Sequence, residues 1–176
     1  VYDGQAATAL AVSEDIFVIN SFSKYFGMTG WRLGWLVAPH AHVSAIDKLA
    51  QNLFLAAPTM AQHAALKAFA EDSIGILEAR RREFQQRRDF LLPALREIGF
   101  DIPVIPDGAF YLYANCSRFS TDSYSFTSRL LEEAGVAITP GIDFGIDMPE
   151  TPVRVADTSS RENLQEGVQR LRAYLA

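Results

Sequence analysis

Residues 21–34 read Ser-Phe-Ser-Lys-Tyr-Phe-Gly-Met-Thr-Gly-Trp-Arg-Leu-Gly, and the reading of the whole chain turns on them. One lysine, Lys24, stands between two serines and a glycine-punctuated run that reaches Arg32. Before it, Ile16-Phe17-Val18-Ile19 is a continuous apolar run with β-branched residues, the pattern of a strand buried on both faces. After it, Trp31 to Val37 reads as another strand. Lys24 is therefore expected on a loop leaving the end of a buried strand, where α/β proteins usually build their sites. Its amine, when neutral, is a nucleophile for an aldehyde. Ser21 and Ser23 offer hydroxyls, and the planar guanidinium of Arg32 suits phosphate oxygens.

Position by position, this stretch resembles the cofactor-lysine signature of class I/II aminotransferases, which use pyridoxal 5′-phosphate (PLP). The match includes the arginine eight residues after the lysine and the glycine two beyond that. The resemblance implies that Lys24 forms a Schiff base with PLP and that Ser21, Ser23 and Arg32 bind its phosphate. It also implies the fold. The chain is expected to be α/β, the C-terminal part of the PLP-dependent transferase (aspartate aminotransferase-like) fold. Residues 1–85 would end the large PLP-binding domain, and residues 86–176 would form a small α+β C-terminal domain.

The 176 residues suffice for one domain or two small ones, and 49% of them are apolar, so a substantial core is expected. The net charge of −5 argues against a general nucleic-acid-binding role. Cys116 is the only cysteine, which rules out an intramolecular disulfide and favours a reducing, cytoplasmic setting. No run reaches the roughly 18 apolar residues of a membrane span. The chain opens on Val1-Tyr2-Asp3-Gly4 rather than Met. In the resembled family, an Asp that pairs with the pyridine nitrogen and a Tyr that contacts the ring hydroxyl lie shortly before such a segment. The expectation is therefore the C-terminal half of an enzyme.

Apolar spacing predicts a helix over Ala41–Leu55, a second over Met60–Ala70 capped by Thr59, and a long one over Ile74–Ile98 stopped by Gly99. Pro93 predicts a kink or break in the long helix near residue 92. Arginines 80, 81, 82, 87 and 88 alternate with Glu78, Glu83 and Asp89, which predicts a salt-bridged helix face rather than a nucleic-acid patch. Beyond Gly99, strands are expected over Ala109–Ala114, Val136–Thr139 and Val153–Ala156. Helices are expected over Ser123–Ala134, ended by Gly135, and after Ser160, with Leu164, Val168, Leu171 and Leu175 as the apolar face. His40, His42 and His63 do not have the spacing of a metal site.

Arg154, flanked by valines, has the pattern of an outward residue on an alternating strand. The segment Val-Arg-Val-Ala-Asp-Thr-Ser-Ser-Arg-Glu-Asn-Leu also resembles the family's C-terminal motif. There the arginine binds the substrate α-carboxylate, and a bidentate pair orients it. Asp157 stands where that motif commonly has an aromatic or apolar residue. Pro106 to Tyr111 resembles a segment that passes near the substrate, and Gly108, lacking a side chain, is expected to leave room for a ligand. Phe110, Tyr111 and Phe144 are expected in the core or the site wall.

Taken together, the resemblance implies a PLP-dependent aminotransferase that moves an amino group between α-amino and α-keto acids, homodimeric at full length. A PLP-dependent carbon–sulfur lyase or decarboxylase of the same fold is the nearest alternative, because Lys24 would serve either. A third reading is the aminotransferase-like sensor half of a transcriptional regulator.

Overall fold

The computed structural model describes residues 1–145 and 151–176, which form two compact units. One unit holds Gly4–Arg81; the other holds Val1–Asp3 together with Arg82–Ala176.

The Gly4–Arg81 unit is built on a two-stranded antiparallel sheet. Strand β1 (Val18–Ser21) pairs with β2 (Gly34–Val37) in the register Val18↔Val37 to Ser21↔Gly34. Helices α1 (His40–Leu53) and α2 (Thr59–Ala68) follow, and α3 (Glu71–Ile98) begins in this unit. The core is small. Phe22, Met28 and Ala65 are buried, with Phe26, Leu33, Ala64 and Ala68 packed on them. The expected doubly buried strand is not what forms: β1 is half-buried at Val18 and exposed after it, with Ile19 84% exposed. In this unit α2 packs on the loop after β1, while Ile16 and Val18 of the apolar run are half-buried. Thr59 is the first residue of α2 and not its cap; Pro58 holds the cap position without a side-chain bond. Proline at a helix start fits because the first N–H groups lack intrahelical partners anyway.

The other unit is an α+β sandwich. Strands β3 (Tyr111–Asn115), β4 (Thr139–Pro140) and β5 (Pro152–Ala156) form an antiparallel sheet in the order β3-β5-β4. One face carries the later part of α3 together with α4 (Ser123–Ala134) and α5 (Arg161–Leu175). Leu95, Leu112, Cys116, Leu130 and Val153 are fully enclosed there. Local capping explains the helix ends. Asp122 accepts from Tyr124 and Ser125 N–H groups at the start of α4, and Ser160 accepts from Asn163 N–H at the start of α5. Gly135 ends α4 in the left-handed conformation.

Helix α3 runs through Pro93 without a break. Leu91, Leu92, Ala94 and Leu95 are all buried while Pro93 faces solvent, so packing on both sides of the proline outweighs one lost backbone bond. Ion pairs line the helix as expected, Arg81–Glu78 at 2.8 Å and Arg87–Glu83 at 3.0 Å. Arg88 follows the pattern too, paired with Asp89 at 2.7 Å, but it does more. It is buried, donates to the carbonyl of Pro106 at 2.6 Å, and lies over the Tyr2 ring at 4.8 Å.

Asp157 follows β5 and is the one buried carboxylate among the described residues, only 1% exposed, with an Oδ1 that finds no hydrogen-bond partner. Burial pushes its carboxyl up to about 6, although Arg87 and Arg88 pull the other way. A carboxyl whose folded value exceeds its unfolded one favours the folded state less as pH rises. The native state keeps the proton longer, so stability falls between about pH 4 and pH 6 and stays lower above that. Asp157→Asn is expected to stabilise the chain by on the order of 1–2 kcal/mol at about pH 8, with the gain vanishing near pH 4. Urea unfolding across that range checks it; a pH-independent difference would contradict the assignment.

Candidate functional site

The loop between β1 and β2 carries Lys24, and its base is fixed by a steric condition. A Cβ on Gly34 would stand 2.5 Å from the carbonyl oxygen of Asn20, so only glycine lets the strands close at this register. Pairing continues past the sheet, with Phe22 N–H donating to the Leu33 carbonyl at 3.1 Å.

Hydrogen bonds then join the polar residues into one chain. Ser21 Oγ accepts from Ser23 N–H at 3.0 Å and donates to Ser23 Oγ at 2.9 Å. Thr29 Oγ1 donates to the Ser23 carbonyl at 2.7 Å, and Arg32 Nη1 donates to the Thr29 carbonyl at 2.8 Å. Lys24 sits at the tip, where its carbonyl accepts from Gly27 N–H at 3.0 Å in a tight turn. The apolar members of the same loop turn the other way. Phe22 and Met28 are buried, and Phe26 meets Phe22 at a tilt and Phe69 edge-on, with ring centroids 4.8 and 5.2 Å apart. Tyr25 donates to Glu78 at 2.7 Å; partial burial and that carboxylate raise its phenol above the usual range.

Two features fit this loop to a phosphate ester. Residues 21–34 carry two cations and no acid. Since Ser21 donates to Ser23, the hydroxyl proton of Ser23 remains available, as do the guanidinium N–H groups of Arg32 beyond Nη1. Arg32 also holds a left-handed backbone, φ 52°, which costs a non-glycine residue about 1–3 kcal/mol and is a conformation that clusters at ligand sites. Thr29, which ties Ser23 to Arg32, escapes sequence reading because a threonine six residues from a serine has no characteristic spacing.

Arg154 lies in the other unit, in mid-β5. Its neighbours Val153 and Val155 enter the core, which turns Arg154 to the opposite face of the sheet. Tyr113 of β3 and Thr139 of β4 are its partners in register. Thr139 Oγ1 accepts from Nη2 at 3.5 Å, while the buried Nε has no partner. Aromatic rings surround the guanidinium, Phe144 at 4.4 Å and Tyr111 at 5.7 Å to their centroids. No carboxylate among the described residues pairs with it.

The space beside Gly108 has another use than the one expected. A Cβ there would stand 3.1 Å from Val1 Cα and N, so the backbone of Val1 fills it. Tyr2 N–H donates to the Asp107 carbonyl at 2.6 Å, and the Tyr2 hydroxyl donates to Ala109 O. Residues 106–109 are thus clasped by the first residues of the chain.

Comparison with known proteins identifies the family. The profile of the family described as aminotransferase class I and II matches residues 1–171. Valine–pyruvate aminotransferase of Mycobacterium tuberculosis is 40% identical over 99% of this chain and 46% of its own length. The (5-formylfuran-3-yl)methyl phosphate transaminase of Methanocaldococcus jannaschii is 37% identical over 99% of this chain and 47% of its own. A crystal structure from Methanococcus jannaschii, described as similar in its active site to kynurenine aminotransferases, superposes with a TM-score of 0.93. It is 36% identical and covers 100% of this chain and 47% of that one. Aspartate aminotransferase of Thermotoga maritima gives a TM-score of 0.84 at 34% identity, covering 99% of this chain and 44% of that one.

The chain belongs to the class I and II aminotransferase family and has the α/β fold of aspartate aminotransferase-like enzymes. Members of this family use pyridoxal 5′-phosphate. The chain spans about half the length of the curated relatives it matches.

Gly34→Ala is expected to destabilise the Gly4–Arg81 unit by about 1–3 kcal/mol, because a methyl group cannot be placed against backbone without moving a strand. Denaturant unfolding followed by the fluorescence of Trp31 and Trp35 measures it; an unchanged midpoint would show that the hairpin tolerates a side chain there.

Proposed function

We propose that this chain carries the cofactor lysine and the carboxylate-binding arginine of a PLP-dependent aminotransferase, one that transfers an amino group between an α-amino acid and an α-keto acid. The observation that carries the reading is the loop network: Lys24 at the tip, with Ser21, Ser23, Thr29 and Arg32 hydrogen-bonded in series beneath it. Arg32 holds the cofactor phosphate through its guanidinium fork, aided by Ser23 and Ser21. When bound, PLP supplies an aldehyde for covalent attachment to an amine and an electron sink for negative charge at the substrate α-carbon. Lys24 Nζ is the attachment point at rest. As a free amine beside the bound cofactor, Lys24 Nζ would accept the substrate α-proton as general base and return it as general acid. Arg154 binds the substrate carboxylate through two parallel N–H donors, which fixes the orientation of the α-carbon.

The domain reading belongs to the same proposal, with residues 1–85 ending a large PLP-binding domain and 86–176 forming a small one. The parting of the compact units after Arg81 supports it in outline. Gly108 acts through the loop it forms with Val1 rather than by leaving space for substrate. No helix among the described residues is long and apolar enough to cross a membrane. The reading extends to a cytoplasmic homodimer that uses amino acid and keto acid substrates and binds no nucleic acid. The uncovered apolar side chains of Leu49, Leu53 and Ile19 support burial against further protein.

Borohydride reduction of the protein mixed with PLP, followed by peptide mass spectrometry, is expected to find the cofactor fixed to Lys24. Lys24→Ala is expected to lose both that adduct and amino-group transfer in the full-length enzyme. Turnover retained by Lys24→Ala would sink the assignment.

A further inference from the structure

We propose that Phe144 is a positioning residue for the carboxylate-binding guanidinium of Arg154. This rests on the carboxylate reading of Arg154 given above and adds what holds that side chain ready. Buried or half-buried arginines are ordinarily fixed by an acid, which also satisfies their charge. Arg154 has no such partner among the described residues; its side chain is held by ring faces instead. Phe144 lies nearest, 4.4 Å from centroid to guanidinium carbon, and Tyr111 is 5.7 Å away. Tyr113, opposite Arg154 in register, meets Phe144 edge-on at 6.4 Å.

The placement of Phe144 is itself constrained. It caps a short 3-10 turn, Gly141–Asp143, and its N–H donates to the Gly141 carbonyl at 2.9 Å. That turn leaves β4 directly after Thr139–Pro140, the strand whose Thr139 Oγ1 accepts from Arg154 Nη2. One connection therefore supplies both a stacking face and a hydrogen-bond acceptor to the same guanidinium.

The chemistry of this arrangement differs from that of an ion pair. A ring face attracts the cation and restricts its rotamers without occupying its N–H donors. An acid would take up the fork that an incoming carboxylate needs. Rings also exclude water, which strengthens the bond to a carboxylate once it arrives. Phe144 thus pre-organises the arginine, lowering the ordering cost of binding.

The test uses the full-length PLP-loaded enzyme, with propionate and propionamide as competitive inhibitors of turnover. Phe144→Leu is expected to raise both the substrate KM and the propionate inhibition constant about tenfold, the scale of one lost cation–π contact, with kcat within about twofold. Propionamide, which lacks the charge, is expected to bind the variant and the parent alike. Phe144→Tyr keeps the ring and restores both constants. In an Arg154→Gln background, Phe144→Leu is expected to add nothing further. Should Phe144→Leu fail to fold, Phe144→Met, closer in volume, takes its place. Equal weakening of propionate and propionamide, or an unchanged propionate constant, overturns the positioning role while leaving Arg154 in place. If Arg154→Gln alone leaves propionate binding unchanged, the carboxylate reading falls, and the role of Phe144 with it.

Discussion

Gly34 stands opposite Ser21, and the carbonyl oxygen of the preceding Asn20 comes so close to it that a Cβ there would lie only 2.5 Å away. This fixes β1 against β2 at one register, and the site loop inherits its geometry from that register. A slip of one residue would exchange the faces on which alternate side chains lie. Phe22 would leave the small core it shares with Met28 and Ala65, and its bond to the Leu33 carbonyl would be lost. The apolar and polar halves of the loop are therefore two consequences of one constraint. Burial of Phe22 and Met28 anchors the loop; the same turn of the chain exposes Lys24 and directs the hydroxyls and the guanidinium to one network.

The sheet of the other unit uses alternation in the same way. Val153 and Val155 of β5 enter the core, and Arg154 between them reaches the opposite face. Among the described residues the arginine there is met by aromatic side chains from β3 and from the turn after β4 rather than by an acid. Parity carries on past the strand. Asp157 N–H bonds to the Phe110 carbonyl, continuing the ladder, so the Asp157 side chain is directed inward with the valines.

Sequence reading reached what local chemistry dictates. Gly135 ends α4 and Ser160 caps α5 because each effect involves only neighbours within a turn. The signature residues fall together, Ser21 at the end of β1 and Ser23, Lys24 and Arg32 on the loop after it, because a strand, a turn and a second strand follow directly from residues 16–37. What escaped it depends on what packs against what. The apolar run ending in Ile19 signals a preference for burial, yet burial requires a covering element, and in its unit α2 covers the loop instead. Pro93 reads as a helix breaker, yet flanking leucines in the core hold the helix through it. Gly108 reads as space for a ligand, yet Val1, more than a hundred residues away in sequence, takes that space. Phe144 reads as wall, because nothing in a Pro-Gly-x-x-Phe spacing shows which side chain its ring will face.

Arg154 and Asp157 show how little residue type decides alone. Both are charged and belong to the same short stretch, three positions apart, on opposite faces of one strand's continuation. Arg154 faces aromatic rings with its buried Nε unpartnered and no carboxylate beside it among the described residues, a state that binding of an anion improves. Asp157 faces the apolar core with an unbonded oxygen, where charge is a cost that a proton relieves. An uncompensated group that a ligand can reach acts as a binding element, whereas one sealed in the core only lowers stability. Access, more than charge, separates the two, and that access is set by the two-residue period of the strand.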